Sequence, residues 1–117
     1  MTVTLKFADK ELKCSLGLMF LGDFLEDVDM SLEEVGAKMA KNPFRLLPKM
    51  IYLSAKTEAD ILGKDFDYSL KDVIEMVEKD GGIASPQVTK FINTWTQSLT
   101  DGVPESEAEG GDKEPKK

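Results

Sequence analysis

Arg45, Lys49, Tyr52 and Lys56 recur at i, i+4, i+7 and i+11 of the stretch NPFRLLPKMIYLSAKTEADIL, Asn42 to Leu62. On a helix this spacing gathers them into one narrow stripe, basic with a single phenol. The whole chain is acidic, with 22 Asp and Glu against 15 Lys and Arg and a net charge of −7. Such a stripe can attract a carboxylate-rich surface and fix its orientation. Two readings stand side by side: surface ion pairs within the fold, each contributing about 0 to 1 kcal/mol, or a docking face for an acidic protein partner.

Other chemistry is thinly represented. There is no histidine, which removes the commonest general acid-base and the commonest metal ligand. Cys14 is the only cysteine; it has no disulfide partner within the chain and lacks the base that usually activates a thiol, so a buried, inert thiol is expected. Asp27-Val-Asp29 and Asp65-Phe-Asp67 start like calcium loops. The glycine and glutamate that an EF-hand needs at its sixth and twelfth positions are Leu32 and Lys38 in one case, Leu70 and Met76 in the other, so both read as helix caps. Glu33 with Glu34, and Glu75 with Glu78, read as solvated helix faces. Gly81-Gly82 and Gly110-Gly111 fall in a helix stop and a tail, not in a phosphate-cradling loop. The expectation is a binding protein, not an enzyme, with no cofactor and no metal.

Charge is segregated along the chain. Residues 1 to 37 hold eight acids and three bases, residues 38 to 56 five bases and no acid, and residues 57 to 80 eight acids and three bases. A basic block flanked by acidic ones repels phosphates on both sides and carries one aromatic, so no nucleic-acid partner is expected. No apolar run approaches the roughly 20 residues of a membrane span, and MTVTLKF does not have the build of a signal peptide. A cytoplasmic protein with no membrane partner is expected.

The elements that would position the stripe can be read from periodicity. Val3, Leu5 and Phe7 alternate, as do Leu12 and Cys14, with Ala8 to Lys10 between them, so a β-hairpin is expected; alone it would be marginal, so it must pack on helices or on a partner's strands. Ser15 is placed as the N-cap of a helix running to about Val28, with Leu18, Leu21, Phe24, Leu25 and Val28 on its inner face and Leu16 and Met19 off it. Ser31-Leu-Glu-Glu34 has the form of a capping box, opening a helix to about Lys41 with Leu32, Val35 and Met39 inward. In the central stretch Phe44, Leu47, Met50, Ile51, Ala55, Ile61 and Leu62 share a face that Leu46 and Leu53 widen, which calls for neighbours on several sides. Pro48 leaves two alternatives, a helix starting near it or one kinked at it.

Gly63 should end that helix. Ser69 should cap the next, with Leu70, Val73, Ile74 and Val77 inward, and Asp80-Gly-Gly82 should stop it. Ser85 then caps with Pro86 at the first helical position, and Val88, Phe91, Ile92, Trp95 and Leu99 form the cleanest stripe in the chain. From about Thr100 the sequence turns polar, with Val103 as its one larger aliphatic side chain, and is expected to be a disordered acidic tail. The fold class is therefore mainly α: a bundle of about five short helices with an N-terminal β-hairpin, in one domain over residues 1–99, and a tail over 100–117.

The order of a hairpin, then LGLMFLGDFLEDVDMSLEEVGAKMAKNPFRLLPKMIYLSAKTE, then SLKDVIEMVEKDGG, then a helix ending in INTWTQSL resembles the tail assembly chaperones of long-tailed bacteriophages over roughly residues 2 to 99. What the resemblance implies is a protein that binds the tape measure protein, keeps that long apolar helical polymer soluble in the host cytoplasm, and is absent from the mature virion. It also implies a frameshift-extended form that recruits the tail tube subunit. The present chain would be the short form, and Pro115-Lys116-Lys117 suits an adenine-rich slip site. No binding motif of the family transfers residue by residue.

The contact site is therefore drawn from the residues alone. Leu16, Met19, Phe66 and Tyr68 supply apolar area and Arg45, Lys49, Tyr52 and Lys56 supply orientation. Leu16 and Met19 have core packing as their alternative, and Phe66 and Tyr68 a role as a lid on the helices. The hairpin edge leaves self-association into a ring or dimer open. The alternative function is a small acidic regulatory adaptor for a nucleic-acid-handling protein.

Overall fold

A computed structural model of the chain describes residues 2–8 and 10–101. Strands β1 (Thr2–Phe7) and β2 (Lys10–Ser15) form an antiparallel hairpin, followed by helices α1 (Leu18–Val28), α2 (Leu32–Lys41), α3 (Pro43–Leu62), α4 (Leu70–Lys79) and α5 (Pro86–Asp101). A single 3-10 turn, Gly82–Ala84, links α4 to α5. This is the expected architecture: five helices and an N-terminal hairpin. The tail expected to be disordered lies, from residue 102 onward, outside the described residues.

The hairpin register runs from Thr2↔Ser15 to Phe7↔Lys10. Ala8 follows with φ 54, the positive value that primed hairpin turns use to match strand twist. Alternation sends Val3, Leu5, Phe7, Leu12 and Cys14 into the core. Because Ser15 is still paired in the ladder, it is not the N-cap of α1. That position is Gly17, and the delayed start rotates the helix relative to the sequence reading. Phe20 and Phe24 are buried one turn apart, their rings stacked at 5.8 Å, while Leu18 is 87% exposed and Leu16 is buried.

Helix α3 is the hub, with β2, α1, α2 and α4 packed around it, while α5 lies on β1. Its buried face is Leu46, Leu47, Met50, Ile51, Ser54, Ala55, Thr57 and Glu58. The helix starts at Pro43 after an Asn42 cap and carries Pro48 inside it, so a start near Pro48 is ruled out. The proline ring removes the N–H that would bond the Phe44 carbonyl, close enough to the helix start for one turn to absorb the loss. Gly63, at φ 70, ends α3. Both capping boxes form: Ser31 with Glu34, and Ser69 with Asp72. In α2 only Val35 is buried; Leu32, expected inward, is exposed and Met39 is partly buried. Val73, Met76 and Val77 seat α4, and Val88, Phe91 and Trp95 seat α5.

Candidate functional site

The basic stripe exists on the outer face of α3, but its members do different things. Lys49 donates to Asp27 of α1 at 2.9 Å, joining the basic block to the first acidic one. Both side chains are more than a third exposed, so the pair contributes at most about 1 kcal/mol. Lys56 is exposed and lines a shallow groove with Asp23, Glu26, Asp27 and Asp60. Arg45 is exposed and has no ion pair among the described residues. Asp27 thus pairs with the middle of the stripe, Lys56 shares its groove with carboxylates without an ion pair among the described residues, and Arg45 remains an exposed cation.

Tyr52, Phe66 and Tyr68 come together as an aromatic row. Tyr52 meets Phe66 edge-on at 5.6 Å, and Phe66 meets Tyr68 edge-on at the same separation, geometry that the ring quadrupole favours. All three are half-buried against the core, so Phe66 and Tyr68 lid the end of α3 and keep an outer edge exposed. Leu16 does not belong to a contact surface: at 6% exposure it is core, because it follows the hairpin inward before α1 begins. Met19 does point outward, together with Leu18, which helical periodicity assigns to the inner face.

The largest departure is at the start of α3. Phe44, expected in the core, is 65% exposed, and Ile61 and Leu62 at the other end are exposed as well. Phe44, Leu47, Pro48, Ile74, Val77, Glu78 and Gly82 line an apolar groove of about 320 Å³ between α3 and α4. Only the middle of the 20-residue helix is covered by neighbours, so apolar positions at both ends emerge. The excess of apolar residues on α3 over what a chain of this size can enclose was the available signal for them.

Buried polar groups accompany the core, among them Ser54, Glu58 and Ser85. Glu58 is buried, with Lys13 at 3.8 Å. Burial pushes the Cys14 thiol up to about 12; a hydrogen bond with Ser54 opposes this and the charge of Glu58 adds to it. Such a thiol is a poor nucleophile at neutral pH. At the foot of α5, the Ser85 hydroxyl donates to Asp80 and accepts from the backbone N–H of Gln87. Among the described residues no cluster of three His, Cys, Asp or Glu side chains is arranged to hold a metal ion, and no helix is long and apolar enough to cross a membrane.

No family model, curated protein or solved structure matches this chain.

Proposed function

We propose that this chain is a non-catalytic holder of a helical client, a tail assembly chaperone that keeps the tape measure protein soluble in the host cytoplasm and leaves before the virion is complete. The observation that supports the reading is the Phe44 groove. A phenylalanine two-thirds exposed beside Leu47, Pro48, Ile74 and Val77 is a seat for one or two apolar side chains of an amphipathic helix. Leu18, Met19, Ile61 and Leu62 add exposed apolar area elsewhere on the helical surface. Arg45, next to Phe44 and without an ion pair among the described residues, sets the orientation of a client helix that carries a carboxylate beside its apolar stripe.

In this reading tail tube subunits are recruited by a frameshift-extended form. The experiment is co-expression with the tape measure protein. Higher soluble yield of that protein and its co-purification with this chain support the proposal. A tape measure protein that aggregates to the same extent with and without this chain refutes it.

A further inference from the structure

The two edges of the hairpin are treated differently. On β1 the backbone N–H of Lys6 donates to the Gln87 side chain at 2.9 Å, and the Thr4 carbonyl accepts from Lys90 Nζ at 2.8 Å, so α5 occupies that edge. These bonds also fix the parity of the ladder. Thr4 and Lys6 direct their backbone groups away from β2, so their partners Lys13 and Glu11 direct theirs away from β1. No backbone partner takes them up among the described residues.

Beside this open edge runs a groove of about 190 Å³. One wall is Glu11, Leu12 and Lys13; the floor is Ala55, Glu58, Ala59 and Leu62 of α3; the far wall is the loop with Phe66 and Tyr68. Glu58 is 6% exposed, and Lys13 Nζ, its one ion-pair partner among the described residues, stands 3.8 Å away, beyond hydrogen-bond range. A buried carboxylate with so distant a donor is poorly satisfied.

We infer that this groove is a third-strand slot, which takes an extended segment of a partner protein that pairs with β2 and presents a Lys or Arg to Glu58. The helix runs along the strand, since Cys14 meets Ser54 and Lys13 meets Glu58. Glu58 to Leu62 spans about 6 Å of helix, and two residues of strand span about 6.8 Å. The segment therefore carries its basic residue two positions from an aliphatic one, the first over Glu58 and the second over Ala59 and Leu62. Main-chain bonds to Glu11 and Lys13 supply affinity and the two inward side chains supply selectivity. A second copy of this chain fits poorly, because its own β2 arrives with its own α3 beneath it. The slot is separate from the Phe44 groove and stands whether or not the client reading does.

The test uses a capped octapeptide alternating Thr with Val, one inner Val replaced by Lys, and a control peptide with Glu at that place. Titration into the whole chain, followed by amide NMR, should give saturable binding with shifts centred on residues 11–15 and 55–66. Hydrogen exchange at the Glu11 and Lys13 amides should slow at least about tenfold, and the Glu peptide should bind at least about tenfold more weakly. Glu58→Gln should abolish the preference between the two peptides. Lys13→Pro, which removes an outward N–H together with the ammonium beside Glu58, should weaken both relative to Lys13→Ala, which removes the ammonium alone; if it does not fold, exchange in the unaltered chain decides. Absence of saturable binding, shifts confined to another surface, undiminished discrimination in Glu58→Gln, or a dimer that already protects β2 would each overturn the slot.

Discussion

Replacing Phe44 with serine separates binding from folding more cleanly than any other substitution in the molecule. A phenylalanine side chain exposes roughly 200 Å² when free, and Phe44 keeps 65% of its surface in solvent. About 130 Å² therefore remains for a client helix to cover. At about 25 cal/mol per Å² this amounts to roughly 3 kcal/mol, or about a hundredfold in Kd. The folded chain loses little, since Phe44 packs only at the rim of the groove and surface changes lie within about 0.5 kcal/mol. The assay is fluorescence anisotropy of a labelled amphipathic segment of the tape measure protein against the unaltered and Phe44→Ser chains, with urea unfolding of each as the control. An unchanged Kd with unchanged stability would remove the groove from the contact surface, and a large loss of stability would show that Phe44 is part of the core.

Reversal of Arg45 to glutamate should weaken client binding severalfold and flatten its salt dependence, whereas Lys49→Glu should cost at most about 1 kcal/mol of stability by removing the pair with Asp27; equal salt slopes in all three chains would count against the orienting role of Arg45. Ser69→Ala removes the capping box of α4 and should lower unfolding free energy by about 1 kcal/mol in urea. Phe91→Ala empties a fully buried site and should cost about 3–5 kcal/mol, read as a large fall in Tm. The Cys14 thiol, held up at about 12 against 9.0 when free, stays protonated in the folded chain while the unfolded chain ionises. Its contribution is thus fully present below pH 9 and is lost as pH rises toward 12. The loss amounts to a few kcal/mol, about 4 at most, and Cys14→Ala should lack that share of alkaline destabilisation. At pH 8 the folded thiol is about a thousandfold less ionised than a free one, so reaction with Ellman's reagent should follow unfolding.

Local chemistry was enough to read the order of elements. Alternation over Val3 to Phe7 marks a strand because side chains on a strand point to opposite faces, and the capping pairs Ser31 with Glu34 and Ser69 with Asp72 mark helix starts because they satisfy free N–H groups within one turn. The Val88, Phe91, Trp95 stripe is equally local, and all three are buried. The start of α1 was not legible in this way. Whether Ser15 caps a helix or completes a strand depends on Thr2 across the hairpin, and the two-residue difference turned Leu18 outward and Phe20 inward.

The candidate surface divides along the same line. Composition alone marks α3 as too apolar for solvent and its outer stripe as basic, since both follow from residue type and a 3.6-residue period. How much of each end of that apolar face emerges depends on how far α1, α2, α4 and β2 reach along the helix, and Lys49 is tied up because Asp27 lies 2.9 Å from it. The open β2 edge follows the same rule: Gln87 and Lys90 arrive at β1 from 81 and 86 residues away. Periodicity determines what each segment is; contacts between segments far apart in the chain determine which of its faces are left to meet another molecule.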